Sequence, residues 1–145
     1  MKVLWIEDHE PVRDMLAIAA DKAARARVQV DLVLAPTLME AERRLRLERF
    51  DLVVTELTLP DSYDGDMTIA RIANMGRHRI AVSSANPDRD MIVTTARRCG
   101  CNIAAVPVFK ANLPYNRFIQ RPEAMLDFFF EQMAEPEAQQ HIAAA

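Results

Sequence analysis

Five times along this chain a short apolar run gives way to a segment whose apolar residues recur at helical spacing. No other feature of the sequence restricts the fold as strongly. Val3-Leu4-Trp5-Ile6 precedes Val12, Met15, Leu16, Ala19 and Ala23, with Pro11 suited to a first helical turn. Val28, Val30, Leu32 and Leu34 alternate as a strand does, and Thr37-Leu38-Met39-Glu40 reads as a capping box opening a helix through Ala41 and Leu45. Leu52-Val53-Val54 precedes Met67, Ile69, Ala70 and Ala73. Ile80-Ala81-Val82 precedes Met91, Ile92, Thr95, Ala96 and Cys99, where Asn86-Pro87 starts the helix and Gly100 stops it. Ile103 to Val106 is the fifth run, and Pro122 starts a last helix through Met125, Phe129 and Met133. Runs this short and this apolar suit strands buried on both faces. The expectation is an α/β, doubly wound, five-stranded parallel sheet flanked by five helices.

With 145 residues the chain can bury one core. The expected organisation is a single domain over residues 1–134 and a frayed tail over 135–145, polar and then rich in alanine. A net charge of −3 argues against a dedicated nucleic-acid binder, so no DNA partner is expected. No apolar run approaches the roughly 20 residues that span a bilayer, and no signal peptide is legible. Cys99 and Cys101 form a lone C-x-C without the second pair that zinc would need, and read as packing thiols in a reducing cytoplasm. The three histidines share no metal spacing.

In an open parallel sheet, chemistry collects at the carboxyl ends of the strands. The first strand ends in Glu7-Asp8, the third in Glu56 and the fourth in Ser83-Ser84-Ala85. The fifth ends near Val106-Pro107, with Lys110 three residues beyond Pro107. Three carboxylates, two hydroxyls and one ammonium are thereby directed toward one rim.

I-E-D-H-E-P-V-R-D-M-L at 6–16, F-D-L-V-V-T-E-L-T-L-P-D at 50–61, S-S-A at 83–85 and A-R-R-C-G-C at 96–101, in this order on this strand pattern, resemble a response-regulator receiver domain of two-component signalling. The resemblance spans roughly residues 1–133 and implies a flavodoxin-like sheet in the order 2-1-3-4-5. In that family two acids after strand one help hold Mg²⁺, and an aspartate after strand three accepts a phosphoryl group. A hydroxyl after strand four and a lysine after strand five bind the phosphoryl oxygens. The resemblance makes Glu7 and Asp8 the acidic pocket, with Asp8 the better direct ligand for a weakly bound Mg²⁺. It makes Ser84 the hydroxyl position and Ala85 the small residue beside it. No other cofactor is implied.

The departures bear on function. Glu56 stands at the phosphoacceptor position and reaches about 1.5 Å further than aspartate. Counted from Gly100, the lysine position falls on Pro107, leaving Lys110 as a candidate substitute, and the switch aromatic falls on Ala104. A misplacement of about 1 Å can cost on the order of 100-fold in rate. A lost ammonium removes a main stabiliser of phosphoryl charge. Three readings of Glu56 stand side by side: a fixed negative charge that mimics phosphorylation, a drifted residue in a dead site, and a working glutamyl-phosphate site.

The function expected is a stand-alone pseudo-receiver, not an enzyme, acting in signal transduction through protein–protein contacts. The alternative is a conventional single-domain response regulator that accepts phosphate from a histidine kinase. A third class is a small-ligand or nucleotide sensor. Phe128-Phe129-Phe130 spans more of its helix than a sheet-packed helix normally buries. Leu126, Phe130 and Ala134 form a second apolar stripe of the kind that marks a contact surface. The resemblance directs a partner, or a second copy in a homodimer, to the face of helix four, strand five and helix five. The stretch from Phe109 to Arg121 is long for a strand-to-helix connection. It is expected either to fold over the rim, bringing Lys110 to Glu56 or Asp8, or to lie outward with Leu113, Tyr115 and Phe118 as partner contacts.

Overall fold

The structure, a computed structural model, describes residues 1–104 and 106–134. Strands β1 (Lys2–Ile6), β2 (Asp31–Ala35), β3 (Leu52–Thr55), β4 (Arg79–Ser84) and β5 (Val108–Phe109) form one sheet. Its order is β2-β1-β3-β4-β5 and every pairing is parallel. The expected order is therefore found, in a flavodoxin-like α/β fold. Helices α1 (Glu10–Arg25), α2 (Leu38–Leu47), α3 (Gly65–Ala73), α4 (Arg89–Cys99), α5 (Tyr115–Gln120) and α6 (Pro122–Met133) flank it. That is six described helices where five were expected. The expected tail over 135–145 lies outside the described residues.

Successive strand residues face opposite sides, so each strand feeds two cores. Val3, Trp5, Leu52, Val54 and Ala81 meet Val12, Leu16, Ala19 and Ala23 of α1, with Phe118 of α5 and Met125 and Phe129 of α6. Leu4, Ile6, Val53 and Ile80 face the other side and meet Leu38, Ala41 and Leu45 of α2 and Ile72 of α3. Each fully buried Leu, Ile or Phe contributes about 1.5–3 kcal/mol relative to exposure. The caps follow the sequence in part. Thr37 accepts the Glu40 N–H at 3.2 Å, and Gly100 ends α4 at φ +62°, a backbone that glycine adopts without strain. The cap of α4 is Asp88, not the expected Asn86: its carboxylate accepts the Met91 N–H at 3.1 Å. Asp61, from the loop after β3, adds a second cap to α2 by accepting the N–H groups of Leu38 and Met39 at 2.9 and 2.8 Å.

The fifth strand departs from expectation. Ile103 makes an isolated parallel bridge to Ile80, and Ala105 lies outside the described residues. Regular pairing comes instead at Val108–Phe109, beside Ser83 and Ser84. Pro107 has no N–H to give to a ladder, so the run before it does not continue as one strand.

The expected long connection from Phe109 to Arg121 is largely ordered structure. Lys110–Asn112 form a 3₁₀ turn and Tyr115–Gln120 form α5. Leu113 and Phe118 are buried in the core, which corrects the expectation that they serve a partner. The helix stops at Arg121 because the pyrrolidine ring of Pro122 drives the preceding residue to extended backbone, φ −133° and ψ 92°. This extra helix also accounts for most of the wide aromatic arc on α6. Phe128 lies between Phe118, at 5.6 Å between ring centroids, and Trp5, stacked at 5.9 Å. Phe129 is buried against Trp5 at 6.0 Å. Phe130 alone of the three rings is exposed, and Leu126 beside it is half-buried.

Candidate functional site

Ile6 and Thr55 are register partners in the β1–β3 pairing. Glu7 and Glu56 each follow by one residue, so they leave adjacent strands side by side at the carboxyl rim. The ladder persists that far: the Glu7 N–H donates to the Ala35 carbonyl at 2.9 Å, and the Glu56 N–H to the Ile6 carbonyl at 3.1 Å. Both side chains are buried.

One cation serves both carboxylates. The Lys110 ammonium donates to Glu7 Oε1 and lies 3.5 Å from Glu56 Oε2. Glu7 Oε1 also accepts the His9 N–H at 3.2 Å, and Glu56 Oε1 accepts the Leu57 N–H at 3.1 Å. Glu7 Oε2 is buried with no partner among the described residues. Burial pushes the Glu7 carboxyl above its ordinary value, against the pull of Lys110, and Glu56 adds to the rise. Lys110 stands where the fifth strand ends, directly after Phe109. Pro107, on which the count from Gly100 placed the lysine position, precedes the paired residues, and Lys110 follows them.

The remaining expected residues divide. Ser84 is buried and its Oγ accepts the Asn86 N–H at 3.4 Å, whereas Ala85 is exposed. Ser83 is fully buried with its hydroxyl unpartnered among the described residues. Asp8 is exposed, outside the buried pair. The Arg13 guanidinium holds the turn between β1 and α1 through the carbonyls of Glu7 and Asp8, at 3.0 and 2.7 Å. Ala104 is buried and carries no ring, as the sequence states.

Sequence reasoning missed Tyr115 as part of this site. Its hydroxyl is buried without a partner among the described residues. Its pKa is driven up first by burial and then by the negative charges of Glu7 and Glu56. The i, i+3, i+4 spacing of Tyr115, Phe118 and Ile119 was the signal available for a helix there.

The residues present do not fit an octahedral Mg²⁺. Glu7 and Glu56 direct oxygens to one ammonium and to backbone N–H groups, and Asp8 lies outside them. Among the described residues no group of three His, Cys, Asp or Glu could hold a metal ion. The chemistry this arrangement supports unaided is electrostatic: two fixed carboxylates neutralised in part by one lysine.

No protein-family model matches the chain, and no curated protein sequence matches it. Solved structures do. A response regulator receiver domain protein (CheY-like) from Methanospirillum hungatei JF-1 is similar at a TM-score of 0.62 and 14% identity, over 87% of this chain and 93% of that one. The response regulator domain of Thermotoga maritima CheB is similar at 0.60 and 18%, over 94% and 98%. A two-component response regulator from Clostridium difficile is similar at 0.60 and 20%, over 88% and 96%. At these identities the likeness establishes the fold, which is that of receiver domains.

Proposed function

We propose that this chain is an atypical receiver module of two-component signalling, a pseudo-receiver that is not an enzyme and is held in one state by its own side chains. The observation that carries this reading is the Lys110 ammonium lying between Glu7 and Glu56. Both oxygens of Glu56 have partners, one facing Lys110 at 3.5 Å and one accepting the Leu57 N–H at 3.1 Å, which stabilises the carboxylate and lowers its nucleophilicity toward a phosphodonor. Glu56 then acts as a permanent charge at the phosphoacceptor position. Signalling passes through protein contacts on the face of α4, β5 and the last helix, to a partner or a second copy, in the cytoplasm. In support, Val106 and Phe109 at the fifth strand are 58% and 50% exposed and Phe130 on α6 is 56% exposed, with Leu126 beside it.

The position of Lys110 favours one alternative, a conventional response regulator that accepts phosphate from a histidine kinase. With a lysine at the end of strand five, the site lacks only the shorter acidic side chains. Incubation with acetyl phosphate and Mg²⁺ followed by intact-mass spectrometry separates the two. An unmodified protein is expected. Gain of one phosphoryl group that Glu56→Gln abolishes establishes the alternative instead.

A further inference from the structure

The end of the sheet opposite the acidic rim carries a feature with no part in the site above. Where α2 runs into β3 and α3 into β4, the surface sinks into a depression of about 880 Å³, with Arg46, Arg49 and Arg77 on its walls and Phe50 and Met75 among its lining. All three arginines are exposed, and none has a hydrogen-bond or ion-pair partner for its side chain among the described residues. Other arginines of this chain do find carboxylates: Arg25 finds Asp21, Arg43 finds Glu40, Arg71 finds Glu42 and Arg98 finds Asp66.

The two acids on the same walls are already engaged. Glu48 is held by Lys2 at 2.7 Å and by Arg44 at 3.3 Å, and Asp51 accepts the backbone N–H of Lys2 at 2.7 Å. His78 adds no charge at neutral pH, because burial lowers its pKa against the opposing pull of the Ile72 carbonyl, 3.0 Å from its Nε2. The depression therefore presents three exposed guanidiniums that pair with neither acid of its walls, in a chain whose net charge is −3. Leu47, 71% exposed, stands among them as an apolar contact.

We infer that this depression docks an acidic polypeptide segment of a partner protein, one with two or three carboxylates beside an apolar side chain. A guanidinium fork matches a carboxylate in bidentate geometry, and Arg with an apolar neighbour is a frequent anchor of protein interfaces. A regular polyanion fits less well. A phosphodiester backbone offers no aliphatic side chain for the exposed Leu47 that stands among the arginines. The inference is independent of whether Glu56 takes a phosphoryl group, since the depression lies at the other end of the sheet.

Fluorescence anisotropy with the full chain tests it. The probe is a fluorescein-labelled peptide of alternating glutamate and aspartate with a central leucine; its glutamine–asparagine counterpart is the control. The acidic peptide binds and the neutral one does not, and affinity falls as salt is raised. The triple variant Arg46→Gln, Arg49→Gln, Arg77→Gln weakens binding by about tenfold or more. The pair Arg43→Gln, Arg117→Gln, on α2 and α5 outside the depression, leaves it unchanged. Circular dichroism of both variants matches the parent, because all these side chains are exposed. Four results each overturn the inference: no binding at millimolar peptide, undiminished binding by the triple variant, tighter binding of a single-stranded oligonucleotide of equal charge, or a dimer of the chain that the triple variant dissolves.

Discussion

The ammonium of Lys110 rests on the buried carboxylate of Glu7, a residue 103 positions earlier in the chain, and reaches Glu56 at 3.5 Å. The contact ties the turn after β5 to the ends of β1 and β3. It leaves two carboxylates sharing one positive charge, with Glu7 Oε2 buried and unpartnered among the described residues. That imbalance sets the behaviour expected of the site.

Removing the cation exposes the imbalance directly. Lys110→Ala leaves Glu7 and Glu56 facing each other without compensation, and breaking a buried pair costs about 3 kcal/mol when the remaining charge stays ionised. Thermal unfolding at pH 7 should show a loss of about that size. At pH 4 the loss should shrink, because Glu7 then carries a proton. Equal melting temperatures for variant and parent at pH 7 would refute the ion-pair role.

Glu7 itself should make the fold less stable as pH rises. Its folded pKa lies above its ordinary value, so its contribution is complete below that value, 4.5, and is lost as pH rises through the folded pKa. Glu7→Gln removes this dependence while keeping an oxygen for Lys110 and the His9 N–H. The melting temperature of the variant minus that of the parent should therefore be more positive at pH 7 than at pH 4. A difference that is flat with pH, or of opposite sign, contradicts this reading.

Shortening one carboxylate should not open the site. Glu56→Asp alone keeps Glu7 on Lys110, so acetyl phosphate with Mg²⁺ should leave it unmodified. The double variant Glu7→Asp, Glu56→Asp withdraws both carboxyls by one carbon–carbon bond, about 1.5 Å each, and should take up one phosphoryl group by mass spectrometry. Phosphorylation of the single variant at the same rate as the double would show that Glu7 does not close the site.

The Tyr115 hydroxyl is buried with no partner among the described residues, and a polar group in that condition costs about 1–3 kcal/mol. Tyr115→Phe should therefore raise stability by up to about 1 kcal/mol in chemical denaturation. A loss of 1 kcal/mol or more would mean that the hydroxyl is bonded in solution.

The alternation of strand runs and helical spacing was sufficient for a five-stranded parallel sheet and for the gathering of its carboxylates at one rim, because both follow from local periodicity. The strand order came from the resemblance to receiver domains, and the side-by-side placement of Glu7 and Glu56 from the register of β1 and β3. The cap at Thr37 and the stop at Gly100 were legible as well, since each depends on residues within one turn. The position of Lys110 was legible only as one of two alternatives for the connection after Phe109. Counting along the chain placed the lysine position on Pro107, but Pro107 interrupts the ladder, and the regular pairing of the fifth strand begins only after it. Nor could the sequence say what covers the aromatic arc of α6, because Phe118 reaches Phe128 only once Pro122 has broken the chain between α5 and α6. Arg46, Arg49 and Arg77 are ordinary surface arginines in sequence. They share one depression because the turns after α2 and α3 meet at the same end of the sheet. Periodicity determines which side of an element faces the core. Which charges end up within a few ångströms of one another depends on where strands stop and helices break, and the tertiary structure alone decided that.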